Sequence, residues 1–428
     1  MGKLLLRSLL KVAGLAFILA WIFAFNASAS TYKIIYSFHG TPDGYFPIGD
    51  MVMDAAGNLY GVTASGTIFK LTQDAAGTWT ETVLYSLPGG TSGEQPQGGV
   101  ILDAAGNLYG TASSGGDPNC HHSFCGVVFE LTSASDGTWK ETVLHSFTGP
   151  DGQDPAASLV FDSAGNLYGT TYEGGFGFGT VFELSPNGGG NWTYTVLHSF
   201  GHPNDGAHPN SPLVFDRVGN LYGVTTQGGL GCNSNGNDGC GTVFELSPQS
   251  GGGWSYRVLH RFDGTHGVLP TGLALDAAGD LFGATSGGGS GNCSGVIFNG
   301  CGVAFELSPT SGGNFQGRII RNYSVGAQQP NRVLVDSNGT IYGGTFFGGH
   351  RACNQNLQTC GTVYQLTPAG SGYTFSALHA FLGGADGQGP VGGLTRDAAG
   401  NLFGNTFLGG DLNCGVTGGC GVVFQIVP

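Results

Sequence analysis

The sequence predicts an all-β fold, a seven-bladed β-propeller of four-stranded blades, and three observations predict it. One eight-residue phrase recurs seven times, starting at Asp54, Asp103, Asp162, Asp216, Asp276, Asp336 and Asp397, and six copies carry Leu before a closing Tyr-Gly or Phe-Gly. The copies stand 49, 59, 54, 60, 60 and 61 residues apart, too far for one solenoid coil and suited to a four-stranded unit. Beyond residue 29 the chain opens on a sequence of the type that ends each unit (32–38) and finishes on the type that precedes it (421–426). The N-terminal strand (32–38) therefore pairs with the last blade and closes the ring without a free edge. The rival architecture, an open β-solenoid, needs no such match between the termini.

Within a unit, four short strands, a to d, are separated by turn residues, and no 10-residue segment beyond residue 29 shows helical periodicity. The third unit reads as strand a at 158–162, b at 166–171, c at 179–185 and d at 192–200. Strands a and b are joined by Asp162-Ser163-Ala164-Gly165, a turn whose Gly supplies positive φ while the Asp side chain caps the turn's amides. The seven Asp are not metal ligands on this reading, because one carboxylate beside two small residues offers too few oxygens.

Residues 1–29 follow a different pattern. Lys3, Arg7 and Lys11 precede an uncharged run of 14 residues (12–25) and the small-residue site Ala27-Ser28-Ala29. This is the layout of a cleaved secretory signal peptide, since a spanning helix needs roughly 20 apolar residues. The mature chain is expected to be a single propeller domain, 30–428, secreted to the extracellular space or periplasm. No Cys stands near the cleavage site and Val427-Pro428 carries no sorting tail, so a free chain without a membrane span is expected, with a monomer as the simplest state. Cleavage removes three basic residues and leaves 11 basic against 28 acidic, a net charge of −17. Such a chain repels phosphates and lacks clustered Lys and Arg, which argues against nucleic acid as a partner. With 82 Gly but 40% apolar residues, it is neither a disordered polyelectrolyte nor collagen-like.

The ten Cys form five close pairs: Cys120 with Cys125, Cys232 with Cys240, Cys293 with Cys301, Cys353 with Cys360, and Cys414 with Cys420. Each pair brackets a long b–c loop, and the two units with short loops, the first and third, have none. In an exported protein an even count paired within each repeat reads as disulfides, worth on the order of 2 kcal/mol each for such short loops. Cys120-His121-His122-Ser123-Phe124-Cys125 alone offers four zinc ligands, but the other pairs have no intervening His and one pattern favours one explanation. No metal or other cofactor is expected.

Residues that recur at one repeat position serve packing before chemistry. Trp79, Trp139, Trp192 and Trp254 open strand d in four units, and further along the same strand stand Tyr36, Tyr85, His145, His198, His260, Arg321 and His379. Equivalent imidazoles on outer strands of different blades stand too far apart to share an ion. The d–a segments, such as Pro150-Asp151-Gly152 and Ala385-Asp386-Gly387, read as turn chemistry rather than as an acidic rim for Ca²⁺. Function is expected where the symmetry breaks, on the face shared by the b–c loops and the d–a connections. Ligand-binding candidates there are Tyr172, Glu173, Phe176, Phe178, Phe346, Phe347, His350 and Arg351, with His121, His122, His202, His208 and His266 also unique to their units. Tyr172 and Glu173 occupy a short, unstapled loop expected near the central axis. Motifs for a Ser nucleophile elbow, a zinc-protease helix and a phosphate loop are absent, and no catalytic residue is named.

The ordered phrases Asp-x-x-Gly-Asn-Leu-Tyr-Gly-x-Thr, Gly-Gly and Gly-Thr-Val-Phe-Glu-Leu-Ser-Pro, as at 162–171, 174–175 and 179–186, resemble the GloVer tandem-repeat family of exported bacterial proteins. The resemblance covers 32–428; it implies an extracellular or surface location and brings no activity with it. The turn after an apolar strand is also similar to NHL-type and lyase propellers, which bears on the fold alone. The expected function is a secreted binding or scaffold module whose loop-rich face recognises an extracellular polysaccharide or a surface protein. A carbohydrate-active lyase or hydrolase with an axial site, and a purely structural surface protein, are the alternatives.

Overall fold

The computed structural model describes residues 30–120, 125–201, 204–229, 239–293, 300–349 and 360–428. The expected signal peptide lies outside them, as do His121, His122, His202, Cys232, His350, Arg351 and Cys353. Seven antiparallel sheets follow one another around a ring, a seven-bladed β-propeller. Blade 3 shows the plan: Val160–Phe161, Leu167–Thr171, Thr180–Gly188 and Asn191–Ser199 run outward from the axis as strands a to d. In blade 6 strand a is split into Ala327–Pro330 and Leu334–Val335. Blade 7 takes strands a to c from Gln388–Arg396, Leu402–Leu408 and Val422–Val427, and strand d from Thr31–Ser37 at the other end of the chain. That pair runs antiparallel from Thr31 opposite Val427 to Ser37 opposite Val422.

The recurring phrase encodes both packing and turn. All five residues of Leu167–Thr171 are buried, as a strand covered on both faces by neighbouring blades must be. Its central Gly169 makes room for Phe182 of strand c, whose Cζ would stand 2.5 Å from an added Cβ. Asp162 Oδ1 accepts the amides of Ala164 at 2.8 Å and Asn166 at 2.9 Å, and Oδ2 accepts Asn166 Nδ2 at 2.8 Å and the Tyr168 hydroxyl at 3.2 Å. The Trp residues that open strand d lie edge-on against the strand-b aromatic of the preceding blade, Trp192 on Tyr109 at 6.1 Å and Trp254 on Tyr168 at 5.9 Å. Among the described residues no helix is long and apolar enough to cross a membrane.

Strand a is shorter than the sequence suggests. In blade 3 the ladder holds only Val160–Phe161, because the residues before them leave the sheet to line the axis. Ser158 Oγ instead accepts the amide of Gly99 from blade 2, at 2.8 Å.

Disulfides join Cys120 to Cys125, Cys293 to Cys301 and Cys414 to Cys420, with Cα separations of 5.8, 5.2 and 6.2 Å. Cys240 and Cys360 are disulfide-bonded as well, and their expected partners Cys232 and Cys353 lie outside the described residues.

At the outer seams the strand-d series meets strand d of the next blade, and one contact recurs with different chemistry. His145, His198 and His379 each lie flat against a tyrosine, Tyr194 at 3.8 Å, Tyr256 at 3.8 Å and Tyr32 at 3.6 Å. Each of these His also meets the Asp of its d–a segment, Asp151, Asp205 or Asp386, at 2.9 to 3.1 Å. Those carboxylates are therefore occupied within the seam. Arg321 instead covers Phe375 at 3.9 Å, and the Tyr85 hydroxyl donates to Glu141 at 3.0 Å.

At the seam that closes the ring, burial and the nearby Asp43 carboxylate push the Glu81 carboxyl up to about 7 from its ordinary 4.5. The folded chain thus holds this proton more tightly than the unfolded one. The associated stabilisation is complete below about pH 4.5 and is lost as pH rises through about 7. The melting temperature is expected to fall over that window, and Glu81→Gln to flatten the fall; an unchanged slope in the variant would remove Glu81 as its source.

Candidate functional site

In six blades the residue before the strand-a Pro donates its amide to a carbonyl of the preceding blade. Phe46, Gln95, Asp154, His208, Leu269 and Gln329 all adopt left-handed backbone there, with φ from 53° to 59°, and Gly389 holds the seventh position at 65°. Phe46, Asp154 and His208 are held in that region by backbone hydrogen bonds on both sides. The Asp154 amide donates to Cys125 O at 3.0 Å and its carbonyl accepts Tyr172 N at 2.9 Å; the His208 amide donates to Phe178 O at 2.8 Å and its carbonyl accepts Thr226 N at 3.1 Å. This bridge sets Phe46 beside Phe407 and His208 beside Tyr172, residues at the end of strand b of the blade before.

Inside this ring lies an axial cavity of about 530 Å³, lined from the start of strand a in all seven blades. Gln97, Ser158, Asn210, Thr271, Ser286 and Asn331 give it a neutral polar wall. Among the described residues Asp50 and Arg332 are the only charged ones lining it, and they pair with each other, Arg332 Nη2 to Asp50 Oδ2 at 2.7 Å. Arg332 belongs to blade 6 and Asp50 to blade 1, so the pair spans blade 7, where a side chain would obstruct it. A Cβ on Gly393 would stand 2.8 Å from Asp50 Oδ1 and 3.0 Å from Arg332 Nη2. The Gly393 amide also donates to Asp50 Oδ1.

Thr226, Ser286 and Leu269 border the cavity, and the same two positions in the other blades do not line it but, by repeat equivalence, surround its rim, or mouth. Two sectors differ from the rest. Where blades 6, 7 and 1 meet, the mouth is aromatic: Phe46 stacks on Phe407 at 4.5 Å, and Phe346 lies within 3.0 Å of where a Cβ on Gly389 would stand. Where blades 3 and 4 meet, on the far side of the ring, Tyr172 stacks on His208 at 4.5 Å. His208 Nδ1 lies 2.9 Å from the Tyr172 carbonyl, which can only accept, so Nδ1 carries a proton and Nε2 is the nitrogen left to face a ligand. Burial and the charge of Glu173 push the Asp154 carboxyl up, and burial with both carboxylates pushes the Tyr172 phenol up.

The sequence candidates are thus divided. Tyr172 and Phe178 stand together at His208, with Phe178 edge-on to the imidazole at 6.1 Å, while Glu173 bridges to Gln153 and its charge acts on Asp154 and Tyr172. Phe346 stands at the aromatic sector with Phe347 edge-on to it at 4.8 Å, although Phe347 sits in the ladder opposite Gln328. Phe176 projects away, 76% exposed. His350 and Arg351 lie outside the described residues, and His266 sits at an outer seam, with its ring on Asp263. Sequence reasoning missed Asp50, Arg332, Phe46, Phe407 and Asp154. Aligning the seven strand-a starts would have found the first two, since their position otherwise holds Gly99, Ser158, Pro212, Gly272 and Gly393.

Ring, cavity and mouth define a seven-bladed β-propeller with an axial polar pocket. The chain belongs to the Gloeobacter/Verrucomicrobia repeat family, whose model matches residues 63–298. Among solved structures it is similar to a carbohydrate-active enzyme of family AA12 from Trichoderma reesei, at 14% identity and TM-score 0.47 over 94% of this chain and 96% of that one. It is similar also to a gluconolactonase from Xanthomonas campestris, at 14% identity and TM-score 0.43 over 92% and 94%, and to a protein of unknown function from Dyadobacter fermentans, at 13% and 0.45 over 93% and 98%. Likenesses of this strength assign no activity. No curated protein matches the chain.

Proposed function

We propose that the protein is a secreted binding module that takes an extracellular polysaccharide at its axial mouth, with residues 1–29 as its signal peptide. The observation that carries this reading is the pocket itself, a neutral polar cavity whose mouth has aromatic rings on one side and hydroxyl-binding groups on the other. A sugar ring offers an apolar face to stack on an aromatic ring and hydroxyls at its edge. Phe407, Phe46 and Phe346 supply the first kind of surface. Glu173, Asp154 and the His208 Nε2 supply acceptors for the second. The paired charge of Asp50 and Arg332 leaves the floor of the cavity without net charge, which suits an uncharged chain end better than a phosphate or a metal. The disulfides suit an oxidising compartment.

A second reading, a polysaccharide hydrolase or lyase, is favoured by one observation, the Asp154 carboxyl raised beside Glu173, since a carboxyl that keeps its proton can act as a general acid. Melting the mature, oxidised chain against a panel of soluble polysaccharides and sizing each ligand afterwards tests both. A saturable rise is expected, about 2.7 kcal/mol at 100 times the dissociation constant, with the ligand recovered intact; shortened ligand would move the assignment to an enzyme. A panel without any shift would defeat polysaccharide recognition and favour a surface-protein partner or a structural role.

A further inference from the structure

Of the four outer seams that present a strand-d His, one lacks the facing tyrosine. Strand-d residues opposite the same strand-c position are Tyr194 opposite Leu184, Tyr256 opposite Leu246 and Tyr32 opposite Ile426, whereas blade 5 has Gly317 opposite Leu307. The surface that such a tyrosine covers is nevertheless present. His260 occupies the position of His145, His198 and His379, edge-on to Phe262 at 4.8 Å, and Phe262 is edge-on to Phe305 at 5.1 Å. The filled seams show the same arrangement, for example His145 with Phe147 at 4.9 Å and Phe147 with Phe182 at 5.4 Å. Above His260 lies a cavity of about 240 Å³, bordered by Phe262, Phe305, Leu307, Gly317 and His266. Apolar cavities of roughly 150 Å³ already admit benzene.

The polar end of the slot is altered as well. In the filled seams the tyrosine hydroxyl donates to the backbone carbonyl of the d–a Asp, Tyr194 to Asp151 O at 2.6 Å and Tyr32 to Asp386 O at 2.7 Å. The d–a segment between blades 4 and 5 (262–270) has the length of the one that carries Asp151 (147–155), but His266 stands before Gly267 where the filled seams have Asp before Gly. Asp263 bonds the His266 ring at 2.8 Å, so among the described residues His260 has no carboxylate partner. Its ring face is open on the side that a tyrosine covers elsewhere.

We propose that this vacated tyrosine slot at the seam of blades 4 and 5 is a binding site for a para-substituted phenol ring, stacked on His260 with its hydroxyl donated to the His266 carbonyl. Three filled seams in the same molecule act as templates for the pose. A free phenol and a tyrosine side chain of a partner polypeptide share this chemistry. The site lies on the outer wall, away from the axis, and does not depend on the proposed polysaccharide reading.

The test uses the mature protein with p-cresol and with N-acetyltyrosinamide, followed by calorimetry and by the His260 ring signal in NMR spectra. Saturable binding on the order of 1 mM is expected, with an upfield shift of the His260 ring protons and a clear preference for p-cresol over toluene. Tighter binding of the tyrosine amide would assign the site to a partner polypeptide, and tighter binding of p-cresol to a free phenol. Gly317→Tyr fills the slot from within: only the tip of Leu307 obstructs its Cβ, at 2.9 Å. The variant is expected to melt higher than the parent and to bind p-cresol at least tenfold more weakly. Absence of a His260 shift in the unmodified protein at saturating p-cresol would overturn the proposal, as would undiminished binding by a folded Gly317→Tyr chain.

Discussion

A chain lacking residues 30–38 is expected to lose its cooperative melting transition and to aggregate. This segment contributes the outer strand of blade 7, so its removal exposes the edge of Val422–Val427 along the register from Thr31 to Ser37. An exposed edge of that kind is a template for pairing with other chains. The loss extends into the core. Phe38 is fully buried and lies edge-on to Phe69 of blade 1 at 5.1 Å, while Ile35 is 8% exposed. Tyr32 covers His379 of blade 6, so this one strand contacts both neighbours of its own blade. Phe38→Ala alone is expected to cost about 3 to 5 kcal/mol, a large share of the 5 to 15 kcal/mol that keeps a typical domain folded. Thermal melting followed by circular dichroism, with gel filtration of the cooled sample, checks both variants. A truncated chain that melts within a few degrees of the parent would show that the ring holds without its closure.

The ring was legible because its encoding is local and repeated. Asp162, Asn166 and Tyr168 satisfy one another within seven residues, and a phrase with that self-sufficiency can be read seven times over. The closure by 32–38 was legible for the same reason, as a strand-d sequence out of place. The site was only half legible. Tyr172 and Glu173 stood out because their loop is short, whereas Phe46 and Phe407 are adjacent only once the ring is closed, 361 positions apart in the chain. Asp50 and Arg332 were hidden differently, since their pairing depends on Gly393 holding no side chain between them. Long-range juxtapositions between blades leave no periodic trace in a sequence. The strand-d histidines His145, His198 and His379 meet rings and carboxylates of the seams, contacts between blades that the repeat pattern alone does not reveal.

If the proposed polysaccharide reading holds, replacing both Tyr172 and Phe407 with Ala weakens that binding by about 100-fold, close to tenfold from each ring. One stacked aromatic contributes on the order of 1.4 kcal/mol, which is tenfold in affinity. The two rings stand in different sectors of the mouth and share no contact, so their effects should add. Stability should change far less, because both residues are half-buried and follow their strand-b cores, Leu167–Thr171 and Leu402–Thr406, rather than belonging to them. Phe176→Ala serves as the control: it removes an aromatic ring from the same face, but one that is 76% exposed and outside the mouth. Titration calorimetry with the polysaccharide that raises the melting temperature reads all three chains. If the Phe176 variant loses affinity while the double variant keeps it, recognition belongs to the outer loops and the axial cavity is a by-product of ring closure. If only the double variant loses it, the ligand enters at the axis, between the aromatic sector of blades 6, 7 and 1 and the His208 sector of blades 3 and 4.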